Sequence, residues 1–406
     1  MAYADLDYHL TSEQSAMRDM VRKFGTEVIR PGGIELDAKG DPADVIAEDS
    51  VLWDMLKQYR ELGLHARGFP KAMGGSAEDM DPMMGIVISD ELGYADAGFA
   101  ISVGAGGMPF AYCMASPEPK LQQLARDYVN DTEANLIGCW GIIEPNHGGD
   151  WGLANNDPNI TPDVKGVLKG DEYIINGQKA AWVSNGTIAT HCVLHVGLYP
   201  ERGMSGQGIA IVPLDLPGIS RGKPLNKMGQ RALNQGEIFF EEVQLPKEYM
   251  VIPDVAMLYA NGPRTGQSPM SGMAVLFGGL ARAALDEGIS YAKQRIQGGV
   301  PIIEHKNVSL KLFQMFMDVE AARSLARQMY LYNAKSGKPS SMLHTMAGKW
   351  LSTETAFKVA SEAIQIHGGN GLSKEYVIEK IFRDARTAMI EDGVNESLAL
   401  GTVGEF

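Results

Sequence analysis

The chain has 406 residues, 45% hydrophobic and 21% charged, with a formal net charge of −14. That length allows two or three domains with a real core, and the acidic balance argues against nucleic acid as a general partner while leaving room for a phosphorylated ligand bound by helix N-termini and a few arginines. Cys113, Cys139 and Cys192 are too few and too far apart for a disulfide framework or a cysteine zinc site and suit a reducing, cytoplasmic setting. No apolar run is expected to span a membrane, and the Met1 end lacks a signal-peptide layout.

Residues 1–136 read as a helical domain. Thr11 and Gln14 fit a capping box ahead of Met17, Met20, Val21, Phe24 and Val28 at helical spacing. A helix from Val51 to Leu62 ends at Gly63, and a loop follows through Phe69-Pro70 to Gly74-Gly75. Met83 to Tyr94 is an amphipathic helix carrying Asp90 and Glu91, small residues run from Ala95 to Gly107, and another helix covers about Glu118 to Asn130.

Residues 137–250 change to short strands and turns, the pattern of a small β-barrel or sandwich. Tyr173 to Lys179 contains Asn176-Gly177, a hairpin-turn signal; Thr190–Val196, Ile209–Val212 and Glu237–Val243 read as strands. Residues 251–406 return to helix. Met273–Arg295 is rich in Gly and Ala, on a face that must pack tightly. Asn307–Ser336 is expected to place Leu310, Phe313, Phe316, Val319 and Leu325 on one side, and Met342–His367 stops at Gly368-Gly369. Long helices with short loops predict a four-helix bundle. The fold class is therefore α+β multidomain, ordered helical domain, β domain, helical bundle. The last stretch, from Ile381, is expected to stay helical until Gly393, with Glu391 and Asp392 just before that stop.

Several stretches combine residues suited to chemistry. Cys139 to Asp150 runs from an apolar strand into Pro145, His147, Gly148 and Gly149, exposing backbone N–H groups to a polar planar group or phosphate. Lys179 to Gly186 offers the Trp182 indole and the Ser184 hydroxyl; Lys227 to Arg231 and the glycine-rich Gln365 to Gly371 follow. The last differs from a dinucleotide fingerprint in spacing and in lacking a preceding strand. Singly, each reads equally well as a strand end, a core tryptophan or a helix stop. The eight histidines are scattered without ligand spacing, so no metal site is expected, and no serine sits in a nucleophile elbow.

Taken in order, these motifs resemble the acyl-CoA dehydrogenase family of flavoproteins over about Leu10 to Glu396. The resemblance rests on Gly74-Gly75, Glu144-Pro145 with Gly148 and Asp150, Trp182 to Gly186, Gly229-Gln230-Arg231, Gln365 to Gly371 and Arg383-Asp384-Ala385-Arg386. It implies a noncovalent FAD between the β domain and the C-terminal bundle of a homotetramer, a dimer of dimers. Trp140, Ile142, Ile143, Gly148 and Gly149 would line the flavin. Ser184 would bond its N5 with Trp182 against the ring, and Val394 and Glu396 would also contact the cofactor. Arg295, Gln365, Gly368 and Gly369 would reach the FAD of a neighbouring subunit. Glu91, Gly149 and Gly393 would contact the acyl-CoA substrate, and an electron-transfer flavoprotein would be a fitting electron acceptor.

The implied reaction removes the α-proton of a CoA thioester with a carboxylate while the β-hydrogen leaves as hydride to flavin N5. The thioester oxygen is stabilised by a backbone N–H near the base and by a ribityl hydroxyl. The family text places an aromatic residue and then a Glu base where this chain has Glu391 and Asp392. Asp retracts the carboxylate by ~1–1.5 Å, a displacement that can cost about a hundredfold. Asp392 is the expected base; Glu391 and Asp90 are the alternatives, and a facing Asp392–Asp90 pair would suit an unusual acyl group. Family members that carry the base on the first bundle helix offer no parallel, since Gln267 to Ser271 lacks a carboxylate. Ile143 for Thr, Gly149 for Ser, Val394 for Thr and Lys306 for Gln are further departures. The shortened base and altered pocket point to a branched, cyclic or aryl-bearing acyl group. A non-oxidative lyase on the same fold and a non-catalytic FAD- or partner-binding relative are the rival readings.

Overall fold

The computed structural model describes residues 3, 5, 6, 9–149, 156–255 and 269–406. The N-terminal part is helical: α1 (Ser12–Phe24), α2 (Arg30–Ala38), α3 (Val51–Glu61), α4 (Pro82–Ala95), α5 (Ala97–Ala115) and α6 (Pro119–Asn130). The capping box forms as expected, Gln14 N donating to Thr11 Oγ1 at 3.2 Å and Thr11 N to Gln14 Oε1 at 3.0 Å.

Helix α5 departs from the expected run of small residues. Its N-cap Asp96 accepts the Phe99 N–H at 2.9 Å, and tertiary packing offsets the weak helix propensity of its glycines. It is also a single helix of 19 residues, apolar and long enough to match a membrane span by length and composition, contrary to the expectation that none would be. Phe99, Phe110 and Cys113 on it are fully buried, and Phe110 stacks on Tyr128 of α6 with ring centroids 4.2 Å apart. Its apolarity serves the core.

The middle of the chain forms one mixed eight-stranded sheet. Its strands are β1 (Gly138–Gly141), β2 (Lys165–Lys169), β3 (Glu172–Ser184), β4 (His191–Gly197), β5 (Gln207–Pro213), β6 (Ile219–Arg221), β7 (Gln235–Pro246) and β8 (Met250–Ile252). They are ordered β6-β7-β3-β2-β4-β5-β8, with β1 beside β4 in parallel. The expected Asn176-Gly177 hairpin turn is wrong. Both residues lie inside β3, at a register shift against β7 between Ile175 and Gly177. Gly177 is required there because its φ is +133° and a Cβ would sit 2.7 Å from the Val164 backbone. Asn176 is spent clamping the irregularity, its side chain exchanging hydrogen bonds with Glu242 at 2.7 and 2.8 Å.

The C-terminal part holds α7 (Pro269–Gln294), α8 (Lys306–Lys335), α9 (Met342–His367), α10 (Val377–Ala388) and the short α11 (Asn395–Leu400). The small-residue face of α7 meets α4 at backbone distance: a Cβ on Gly279 would lie 2.0 Å from the Asp90 carbonyl oxygen, and one on Gly93 as close to that of Leu276. On α8 the expected apolar side divides. Val319 is buried with Leu312, Met315, Ala322 and Ala326, whereas Leu310 and Phe313 are 59% and 58% exposed. Helices from both ends of the chain share one core, from Val21 to Ala388, while the sheet has its own core around Ile175, Cys192, Val212 and Phe240.

Candidate active site

The loop before β7 carries Lys227, Gly229 and Gln230 onto α10. Gly229 lies against the α10 backbone, where a Cβ would be 2.6 Å from the Arg383 carbonyl carbon. Gln230 follows in the left-handed region at φ +50°, its N–H donating to Asp384 Oδ1. Lys380 binds Asp384 and Asp96 at 2.6 Å each. This buried trio joins the sheet loop, the N-terminal helices and the bundle.

Helix α10 ends at Ala388, earlier than the expected stop at Gly393, so Glu391 and Asp392 stand on a turn between α10 and α11. The turn is made by two consecutive left-handed residues, Asp392 at φ +51° and Gly393 at φ +103°. Asp tolerates that conformation better than most side chains and Gly tolerates it best. Gln230 Nε2 donates to Glu391 Oε1 at 2.6 Å.

Both carboxyls hold protons more tightly than usual. Burial pushes Glu391 up to about 8, helped by the neighbouring Asp392 charge and opposed by Gln230, Lys227 and Lys349. Burial also raises Asp392, opposed by Lys349. Lys349, on α9, has no accessible surface. Its ammonium donates to the Gly393 carbonyl at 2.8 Å and to Asn395 Oδ1 at 2.9 Å.

Asp90 and Glu91 do not join this turn. Arg282 reaches Asp90 at 2.7 Å and Glu91 at 3.0 Å, Arg323 reaches Asp90 at 3.1 Å, and Arg22 reaches Glu91 at 2.6 Å. Burial alone would raise the Asp90 pKa, but the two guanidiniums hold it well below the usual carboxylate range. A carboxylate so held is a poor proton acceptor, and none of the cations acting on Asp90 acts on Asp392. The expected roles of Asp90 as base or facing acid, and of Glu91 as a substrate contact, give way to a structural role: they are the anions of the α4–α7–α8 interface.

The residues implied for a flavin fall in two groups. Ile142 and Ile143 are half-buried after β1, and Trp140 carries a buried indole nitrogen with no hydrogen-bond partner. Trp182, 57% exposed, and half-buried Ser184 end β3. The buried, left-handed Asn185 anchors that strand end, donating to the Ser102 and Gly138 carbonyls at 2.9 and 3.1 Å. Gly148 and Gly149 expose their backbone, and a Cβ on Gly149 would come 3.3 Å from Ser397 Oγ of α11, which brings that loop against the helix after the Asp392 turn. Val394 is half-buried and Glu396 exposed at the start of α11. The second group, Arg295, Gln365, Gly368 and Gly369, is exposed. An uncovered indole, a hydroxyl, aliphatic side chains and open glycine backbone suit a flat, polar-edged ring, so these residues fit FAD. Asp150, Gln267 and Ser268 lie outside the described residues.

One histidine does meet other possible ligands: atoms of Glu144, His147 and Asp163 lie within 4.8 Å of one another. Glu144 is already engaged by Lys179 at 2.6 Å and by the Asp163 and Val164 N–H groups, which makes it a structural latch. Lys349 and the part played by Asn395 escaped sequence reasoning, and Lys227 stood in the Lys227 to Arg231 motif without a role of its own. The available signal was a lysine at position 349 on the same helical stripe as Met346, Ser352, Thr353 and Ala356, all buried.

Comparison with known proteins agrees with this geometry. Residues 11–125, 139–243 and 271–405 match the family models for the N-terminal, middle and C-terminal domains of acyl-CoA dehydrogenase. A probable acyl-CoA dehydrogenase of Bacillus subtilis is 31% identical over 96% of this chain and 97% of its own. A cyclohex-1-ene-1-carbonyl-CoA dehydrogenase of Geobacter metallireducens is 30% identical over 96% of each. The solved structure of butyryl-CoA dehydrogenase from Megasphaera elsdenii superposes with a TM-score of 0.83 at 27% identity, covering 98% of this chain and 99% of that one. With all three domains matched and the helix–sheet–bundle order shared, the chain belongs to the acyl-CoA dehydrogenase family of oxidoreductases.

Proposed function

We propose that this protein is an FAD-dependent dehydrogenase that removes the α-proton and the β-hydride of a CoA thioester, with Asp392 as the base and a cyclic, branched or aryl-bearing acyl group on the substrate. The observation that carries this reading is the Glu391–Asp392 pair, two half-buried carboxyls with raised proton affinity on a left-handed turn. Their environments divide the roles. Glu391, pushed up to about 8 and bonded to Gln230, stays protonated at neutral pH. Asp392, also raised by burial, is opposed by Lys349 alone, and we assign it the role of proton acceptor. Keeping Glu391 neutral avoids two like charges on one turn.

FAD, when bound, supplies the hydride acceptor. Trp182 and Ser184 on β3 and Ile142, Ile143, Gly148 and Gly149 after β1 would hold it. Arg295, Gln365, Gly368 and Gly369, exposed on this chain, would serve a second copy's cofactor. The apolar exposed row Leu310, Phe313 and Met317 on α8 supports burial against another subunit in a homotetramer. An electron-transfer flavoprotein fits as reoxidant, and three unpaired, buried cysteines suit the cytoplasm. The reading is tested by mixing FAD-loaded protein anaerobically with cyclohex-1-ene-1-carbonyl-CoA and butyryl-CoA. Loss of the oxidised flavin absorption is expected, faster with the cyclic thioester. No bleaching by any thioester sinks the activity; fast bleaching by the straight chain alone sinks the substrate class.

A further inference from the structure

Lys349 is a cation without an ion-pair partner within salt-bridge distance among the described residues. Its ammonium meets two neutral oxygens, the Gly393 carbonyl at 2.8 Å and Asn395 Oδ1 at 2.9 Å. Asn395 is held in turn, its Nδ2 donating to Thr353 Oγ1 at 3.0 Å, and Thr353 Oγ1 donates back to the Lys349 carbonyl at 3.0 Å. The result is a closed loop of bonds between α9 and Gly393 and Asn395, the first and third residues after Asp392. Burying an ammonium is costly, and neutral acceptors offset only part of that cost. Helix α11 does not account for it, because a cation at a helix N-terminus opposes the helix dipole. The charges that face Lys349 are Glu391 and Asp392 from the turn and Glu396 from α11, and each favours its charged form against burial. Both hydrogen bonds of the ammonium go to the segment that carries Asp392.

We propose that Lys349 is the positioning residue of the Asp392 turn. Its two hydrogen bonds, to the Gly393 carbonyl and to Asn395, fix the left-handed Asp392–Gly393 conformation, and its charge favours the carboxylate form of Asp392. The proposal rests on Asp392 being the base, and it adds a residue from α9, a helix separate in sequence from the turn. Near Glu391 the other cation is Lys227, which donates to the Gln230 and Leu233 carbonyls and to Gln235 Oε1 and so belongs to the sheet loop. Asp392 depends on Lys349 alone.

The test has two arms. In the first, Lys349→Gln and Lys349→Arg are compared with the parent in the pH dependence of flavin reduction by cyclohex-1-ene-1-carbonyl-CoA. Lys349→Gln should move the acidic limb upward by about one pH unit and lower kcat more than it raises KM. Lys349→Arg should return the limb toward the parent position. An unmoved limb with a lowered thermal midpoint would leave Lys349 a mere strut and overturn the proposal. The second arm needs neither turnover nor a variant at position 349. Coupling between two sites is reciprocal, so Asp392→Asn must lower the titration of the Lys349 ammonium, followed by ¹⁵N-lysine NMR, by the same interval. No change there overturns the proposal even if the first arm cannot be run. If no thioester is turned over, the dehydrogenase reading fails, while the lysine titration still decides the role of Lys349.

Discussion

Replacing Asp392 by Asn is the sharpest perturbation available. Asn is isosteric and is among the few side chains that occupy the left-handed region readily, so the φ of +51° at position 392 can persist. The Lys349 bonds run to the Gly393 carbonyl and Asn395, and the Gln230 bond runs to Glu391, so none is removed by the change. What disappears is the proposed proton acceptor. A positioned general base contributes about 10²–10⁴-fold, and at 1.36 kcal/mol per tenfold this is about 2.7–5.4 kcal/mol of barrier. The assay is single-turnover flavin reduction by cyclohex-1-ene-1-carbonyl-CoA, with FAD occupancy and thermal midpoint measured alongside. Asp392→Asn should fall by at least a hundredfold with both controls unchanged, and Glu391→Gln by less than tenfold. The reasoning fails if Asp392→Asn keeps more than about a tenth of the parent rate, or if Glu391→Gln drops as far.

Other consequences are independent of that one. Asp90→Ala removes the anion shared by Arg282 and Arg323 from a buried cluster and should cost about 3–5 kcal/mol of stability. Activity per folded molecule should stay near the parent value; denaturant unfolding and titrated flavin content check both. Glu391 binds a proton more tightly folded than unfolded, so the stability it contributes is complete below about 4.5 and is lost as pH rises toward about 8. Glu391→Gln should therefore gain thermal stability relative to the parent between pH about 5 and about 8, and a constant difference would contradict it. Gly393→Ala meets a φ of +103° and Leu398 Cδ2 at 2.8 Å. It should lose more than the ~1 kcal/mol of an ordinary glycine replacement, together with at least tenfold in rate. Trp182→Ala should weaken FAD binding about tenfold, read by flavin fluorescence, without lowering the midpoint of the apoprotein, because the indole is 57% exposed.

Sequence periodicity and capping signals located α3, α4, α6, α8 and α9 within a residue or two, because a cap or a glycine stop is a local event. The Thr11–Gln14 box and the span Met342–His367 are examples. Local signals misled where packing overrode them. Ala95 to Gly107 sets four glycines against its alanines, yet most of it is α5 because Phe99, Ile101 and Val103 are buried in the helical core. Asn176-Gly177 carries turn chemistry, yet it lies in β3 because Glu242 and the Val164 backbone use it as a bulge.

The same division holds at the site. The order of motifs along the chain was enough to identify the family and to single out Glu391 and Asp392, since those depend only on residue type and spacing. Which carboxyl works as a base depends on which cation lies beside it, and a cation from a distant helix leaves no mark on neighbouring sequence. Asp90 and Asp392 look alike as letters. Folding gives one of them two arginines and the other a single buried lysine, and that electrostatic difference, set by how α4, α7, α8 and α9 pack, separates a structural anion from the carboxyl proposed as proton acceptor.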